Sequence, residues 1–168
     1  MIPPGAAPDR TVFYAREIHQ MNLVLGKFLQ KSGSETVLLV GEAGHLLTRQ
    51  GAQSPASEDT ITALVAGTCA ACRAMAEMLG TVEFSSCIRR GGGGHVLLLP
   101  AGQGAMLAVA FGDDTSVSLV RTYALEAVRR IEPILAGDGH EPAGSGEERI
   151  EKERFQAEID DALTDVFG

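Results

Sequence analysis

Apolar side chains recur along this chain in two rhythms: a spacing of three to four residues, and short runs bounded by turn residues. Between Asp9 and Lys31 the helical rhythm carries Phe13, Ile18, Met21, Val24, Leu25, Phe28 and Leu29. Asp9 is placed to cap this predicted helix, and Ser32-Gly33 to end it. TVLLVGEAGHLLTRQG then reads as two short strands around Glu42-Ala43-Gly44, a hairpin pattern. After the loop QSPASED a second helix is predicted from about Asp59 to Leu79, stopped by Gly80. Three strands follow, at about Phe84–Arg90, His95–Pro100 and Ala105–Gly112, with AGQG as a tight turn between the last two. A third helix spans about Ser118 to Leu135. The predicted order is αββαβββα, an α/β (α+β) sandwich in which helices pack on an antiparallel sheet.

Beyond this the pattern changes. GDGHEPAGSG, Gly137 to Gly146, has the composition of a flexible linker. The ending then sets Ile150, Phe155, Ile159, Leu163, Val166 and Phe167 near one stripe of an amphipathic helix. Such a helix does not bury its stripe alone and needs a surface to dock on, here or on a partner. The expected organisation is a domain over 9–136, a linker over 137–149 and an acidic amphipathic tail over 150–168.

Charge sharpens this picture. The 168 residues carry 14 basic and 22 acidic side chains, a net charge of −8. From Glu147 to Gly168 there are 8 acidic and 3 basic residues, so the tail contributes 3 − 8 = −5. Such a chain is poorly suited to phosphate backbones, whose affinity comes from Lys and Arg, so no nucleic acid is expected as partner. No apolar run reaches the roughly 20 residues of a membrane helix, and no secretory leader is readable in MIPPGAAPDR. Three cysteines do not make a disulfide framework. The expectation is a cytoplasmic protein without membrane insertion.

Candidate chemistry is sparse. Cys69 and Cys72 lie in the middle of the second helix, whereas a reactive dithiol normally sits at a helix N-terminus. A zinc site needs two further ligands, and no Cys or His pair at suitable spacing supplies them. Gly91–Gly94 lacks the Lys-Ser/Thr and the following helix of a phosphate loop, and reads as a mobile hairpin loop. His19, His45, His95 and His140 are scattered, and Asp113-Asp114 suits a turn. No active site, cofactor or metal centre is expected.

The second helix is the informative segment. Ile61, Leu64, Thr68, Ala71, Met75 and Met78 form one side, read here as its core face. Ala63, Ala66, Gly67, Ala70 and Ala74 form an adjoining stripe of tiny side chains where Lys or Glu is usual. Small side chains let another backbone approach closely, so the stripe is a candidate contact surface. Alanine's high helix propensity accounts for it equally well.

At this point the chain resembles the roadblock/dynein light chain family, over roughly Phe13 to Leu135. The resemblance rests on LLVGEAGHLLTRQG, ITALVAGTCAACRAMAEMLG, EFSSCIRRG, HVLLLP and AMLAVAFGDDTSVSLVRTYALEAV in that order. Two turns depart from the family pattern: Ser118 stands where Gly is common, and four glycines stand where one is usual. The resemblance implies a homodimer made by joining sheets, with the two copies of the second helix side by side as a platform for a Ras-like GTPase. It assigns partner contact to Ala63, Ala66, Ala70 and Ala74, with Arg73 and Glu77 at the rim; the expected mechanism is ordering of the GTPase's own catalytic groups, with an Arg73 arginine finger as the alternative.

In layout the chain is most similar to bacterial MglB-type regulators. That likeness implies stimulation of GTP hydrolysis by a Ras-like (MglA-type) small GTPase in motility or polarity signalling. The tail positions Phe155, Ile159, Leu163, Val166 and Phe167 are then candidate docking residues. The competing readings are a roadblock scaffold that leaves turnover unchanged, an adaptor docking its acidic tail on a receiver domain, and a thiol or metal enzyme.

Overall fold

The computed structural model describes residues 13–41, 43–81, 86–102, 104–137 and 157–165. Helix α1, Ala15–Ser32, begins where the Glu17 carboxylate accepts the Tyr14 backbone N–H at 2.9 Å. The helix starts later than expected from Asp9: Tyr14 is its N-cap and Phe13 precedes it, while Asp9 itself lies outside the described residues. The helix ends at Gly33, whose φ of 71° suits a glycine and whose N–H donates to the Leu29 carbonyl at 3.1 Å. Strands β1 (Thr36–Gly41) and β2 (Leu46–Gly51) form the expected hairpin, with a register shift between Leu39 and Val40.

Helix α2 covers Glu58–Met78, and β3 (Cys87–Gly91), β4 (Gly94–Pro100) and β5 (Ala105–Phe111) follow it. The N-terminal part of the expected third strand reaches into residues 82–85, which are not described. Helix α3, Val117–Ala136, is capped by the Ser116 hydroxyl, which accepts the Leu119 N–H at 3.4 Å. Gly91 pairs directly with Gly94, so the glycine run is a two-residue turn rather than a wide loop. Gly93 donates its N–H to Asp113 Oδ2 at 3.0 Å. Asp113 therefore bonds across the fold to this hairpin, where local turn bonding was expected.

The five strands run β2-β1-β5-β4-β3, every neighbour antiparallel. Alternation divides the sheet into two faces. Val37, Leu39, Leu97, Leu99, Leu107, Val109 and Phe111 meet Met21, Val24, Leu25 and Phe28 of α1 and Val120, Ala124, Ala127 and Ile131 of α3. Leu38, Val40, Leu98, Met106 and Ala108 face the other way, toward Val65 and Cys69 of α2. The α1/α3 face thus holds the larger core, and α2 lies alone on the opposite side.

Residues 157–165 form a further helix. Its Ile159 and Leu163 are buried in the α1/α3 cluster, and Asp160 is ion-paired with Lys27 of α1.

Candidate functional site: the outer face of the second helix

Helix α2 is fixed at its start. The Ser57 hydroxyl accepts the Thr60 N–H at 3.2 Å, Glu58 and Asp59 occupy the first turn, and Arg49 of β2 reaches Glu58 at 3.0 Å. Acidic side chains there also favour the helix dipole. Thr62, 1% exposed, keeps its hydroxyl satisfied by donating to the Glu58 carbonyl at 3.0 Å. Gly44, with φ of 85°, brings the β1–β2 turn against the helix; a Cβ there would lie 3.5 Å from Ala66 Cβ and 3.7 Å from Ala63 Cα.

The inward side of α2 consists of Thr62, Val65 and Cys69, flanked by half-buried Ile61, Ala66, Cys72, Arg73 and Ala76. This corrects the expected core face. Leu64 is 66% exposed, Met75 55% and Met78 87%, and Thr68 and Ala71 are also exposed. The helix rests on compact side chains, while its large apolar ones point outward. Spacing alone misassigned them because α2 is apolar on more than one side, so periodicity leaves its rotation undetermined.

Two stripes cover the outer surface, each stepping four, three, four, three along the chain. One is Leu64, Thr68, Ala71, Met75 and Met78; the other is Ala63, Gly67, Ala70, Ala74 and Glu77. Cys72, on the flank shared with Thr68 and Met75, hydrogen-bonds to Cys87 of β3. The larger stripe therefore leans toward edge strand β3, and the stripe of small side chains lies on the side of Gly44. On β3, Ile88, Arg89 and Arg90 are exposed, as is Val96 beside Arg89 on β4.

Of the sequence-derived contact residues, Ala63, Ala70, Ala74 and Glu77 are exposed. Ala66 and Arg73 are half-buried, and the Arg73 charge acts on the Cys69 thiol. Arg73 is thus set beside the sheet rather than on the helix crest. In the tail, Ile159 and Leu163 face the α1/α3 cluster, on the far side of the sheet from α2. Phe155, Val166 and Phe167 lie outside the described residues. The exposed apolar stripe and the β3 edge were missed by sequence reasoning; the signal available was the four-three spacing of Leu64, Thr68, Ala71, Met75 and Met78.

All three cysteines are free. Burial pushes the Cys69 thiol up to about 11, with Arg73 pulling the other way. Burial also raises Cys72, and Cys87 raises it further. Thiols held protonated are poor nucleophiles. Among the described residues, no group of three or more His, Cys, Asp or Glu side chains is arranged to hold a metal ion. Against the expectation that no run reaches membrane length, α2 is by length and composition the one helix among the described residues long and apolar enough to cross a membrane, with 17% of that window buried.

One helix on one face of a five-stranded antiparallel sheet, with two helices on the other, is the architecture of a roadblock-type domain. The Roadblock/LC7 domain model matches residues 21–111, and the chain belongs to that family. Among solved structures it is similar to the gliding protein MglB of Thermus thermophilus, with 27% identity and a TM-score of 0.69 over 74% of this chain and 94% of that one. An MglB with tetrameric arrangement gives 26% identity and a TM-score of 0.70, over 74% and 93%. Myxococcus xanthus MglB, at 24% identity, shares the fold with a TM-score of 0.71 over 79% and 99%. No curated protein matches the chain by sequence.

Proposed function

We propose that this protein is a cytoplasmic homodimeric regulator that binds a small Ras-like GTPase of the MglA type across α2 and stimulates its GTP hydrolysis. The observation that carries the reading is the division of the outer α2 surface into two stripes of different character. Leu64, Met75 and Met78 are large, apolar and exposed beside the open β3 edge. A second copy joined along β3 would cover them with its own equivalent stripe. The small stripe, Ala63, Ala70 and Ala74, then remains as a platform on which a partner's loops approach the helix closely.

The mechanism is positioning. Activation of phosphoryl transfer requires an inserted arginine or an ordered set of the GTPase's own groups. The centre of the platform carries no long side chain, and Arg73 is half-buried beside Cys69. The GTPase therefore supplies its own catalytic residues, and this protein orders its switch loops. Similarity to MglB structures supports the choice of partner class.

The test is single-turnover GTP hydrolysis by the Ras-like GTPase encoded nearest to this gene, with and without the protein. Stimulation lost in Ala70→Arg and kept in Arg73→Ala is the expected result. GTP-dependent binding without a rate change would make the protein a scaffold, and no binding in either nucleotide state would end the GTPase reading.

A further inference from the structure

Among the described residues, the helix over residues 157–165 meets the domain through two buried aliphatic side chains and an ion pair. Ile159 and Leu163, one turn apart, are 4% and 3% exposed within the cluster built by α1, α3 and the sheet. Asp160, next to Ile159, pairs with Lys27 of α1. Ala162 is half-buried, and the other described positions of this helix are exposed. By contrast, α1 contributes Met21, Val24, Leu25 and Phe28 to the same cluster, all fully buried. An element anchored, among the described residues, by two aliphatic side chains and a solvent-accessible ion pair has the character of a unit that opens without global unfolding.

We propose that the α1/α3 face is an exchangeable slot for an acidic amphipathic helix of the pattern aliphatic-acidic-x-x-aliphatic, and that the chain's own tail fills it at rest. The fit has a chemical basis: Ile159 and Leu163 enter the apolar layer while the acidic residue between them meets the α1 lysine at its rim. The arrangement makes the tail a latch. Ile159 and Leu163, two of the residues expected to bind another protein, are consumed by docking, so they become available only when the helix leaves the slot. It is stored on the face of the sheet opposite α2, so docking leaves the α2 platform uncovered. Attachment through the chain gives the tail an effective concentration on the order of millimolar, which a micromolar competitor does not overcome.

The experiment titrates a fluorescein-labelled peptide of residues 150–168 into the full chain and into the full-length Leu163→Asp variant, with anisotropy as readout. Ile159→Asp serves as a second variant, and circular dichroism checks that both keep the domain's fold. The latch predicts binding to the variants at least about tenfold tighter than to the wild-type chain. Adding Lys27→Asp to Leu163→Asp should weaken peptide binding, and a peptide carrying Asp160→Lys should recover it. Equal affinity for wild type and variants would mean that the tail does not fill the slot. Absence of binding to both folded variants would mean that the slot does not accept a helix from outside. Either result overturns the proposal, and neither bears on the α2 platform.

Discussion

At the residue scale, glycines and cysteines make opposite demands on their surroundings. Gly51 has φ of 100°, and a Cβ there would lie 2.2 Å from the Glu35 carbonyl oxygen. That backbone has nowhere to go, because the Ala52 N–H donates to the same oxygen at 3.0 Å. Gly51→Ala should cost about 2 kcal/mol or more, read as a fall in melting temperature of about 4–8 °C. Gly26 sits inside α1 with nothing within 4 Å of its would-be Cβ. Gly26→Ala should raise stability by about 0.5–1 kcal/mol through helix propensity. Cys69 tests burial through acidity. Its thiol ionises near 11 in the fold against 9.0 when free, so alkylation of Cys69 should lag behind that of a free thiol until the pH approaches 11. For stability, the protonated thiol is tolerated below about pH 9, and its contribution is lost as pH rises through about 11. Alkylation of Cys69 at neutral pH as fast as a free thiol would refute the assignment.

Element by element, the sequence was most informative where one face was buried and least where two were apolar. α1 carries its apolar residues on a single stripe, so Met21, Val24, Leu25 and Phe28 were identifiable as core and are fully buried. The five strands were found because turn residues bracket them, including Ala101 to Gly104, where the Ala101 N–H donates to the Ala105 carbonyl at 2.9 Å. α2 failed for a physical reason. Its inward residues, Thr62, Val65 and Cys69, are no more apolar than its outward ones, so no moment fixes its rotation. The small-residue stripe was readable; the larger stripe beside it was mistaken for core. In the proposed dimer, Leu64→Glu combined with Met75→Glu should give a monomer by sedimentation equilibrium while leaving helix content unchanged. Ala70→Arg should leave the mass unchanged. A charged double variant that still sediments as a dimer would move the self-contact away from this stripe.

Taken whole, the molecule is lopsided. Two helices and part of the tail bury one face of the sheet, and one helix with three buried residues covers the other. If a second copy completes the thinner side, the melting temperature of the wild-type protein should rise with protein concentration, and that of the Leu64→Glu, Met75→Glu variant should not. The tail's cis location was not legible in sequence, because an amphipathic stripe states that a surface is needed without naming it. What identified the surface is the meeting of Ile159 and Leu163 with residues far earlier in the chain.

The strand order carries a consequence for the protein's birth. β1 lies between β2, its neighbour in sequence, and β5, the last strand to be made. During synthesis the first hairpin can close early, but the other edge of β1, with Leu38, Leu39 and Val40, stays open until Phe111 has left the ribosome. For that interval the nascent chain displays an unpaired apolar strand, the kind of edge that invites association with other chains. The ribosome's pace across α2, β3 and β4 therefore sets how long each new copy waits before its sheet can close at the centre.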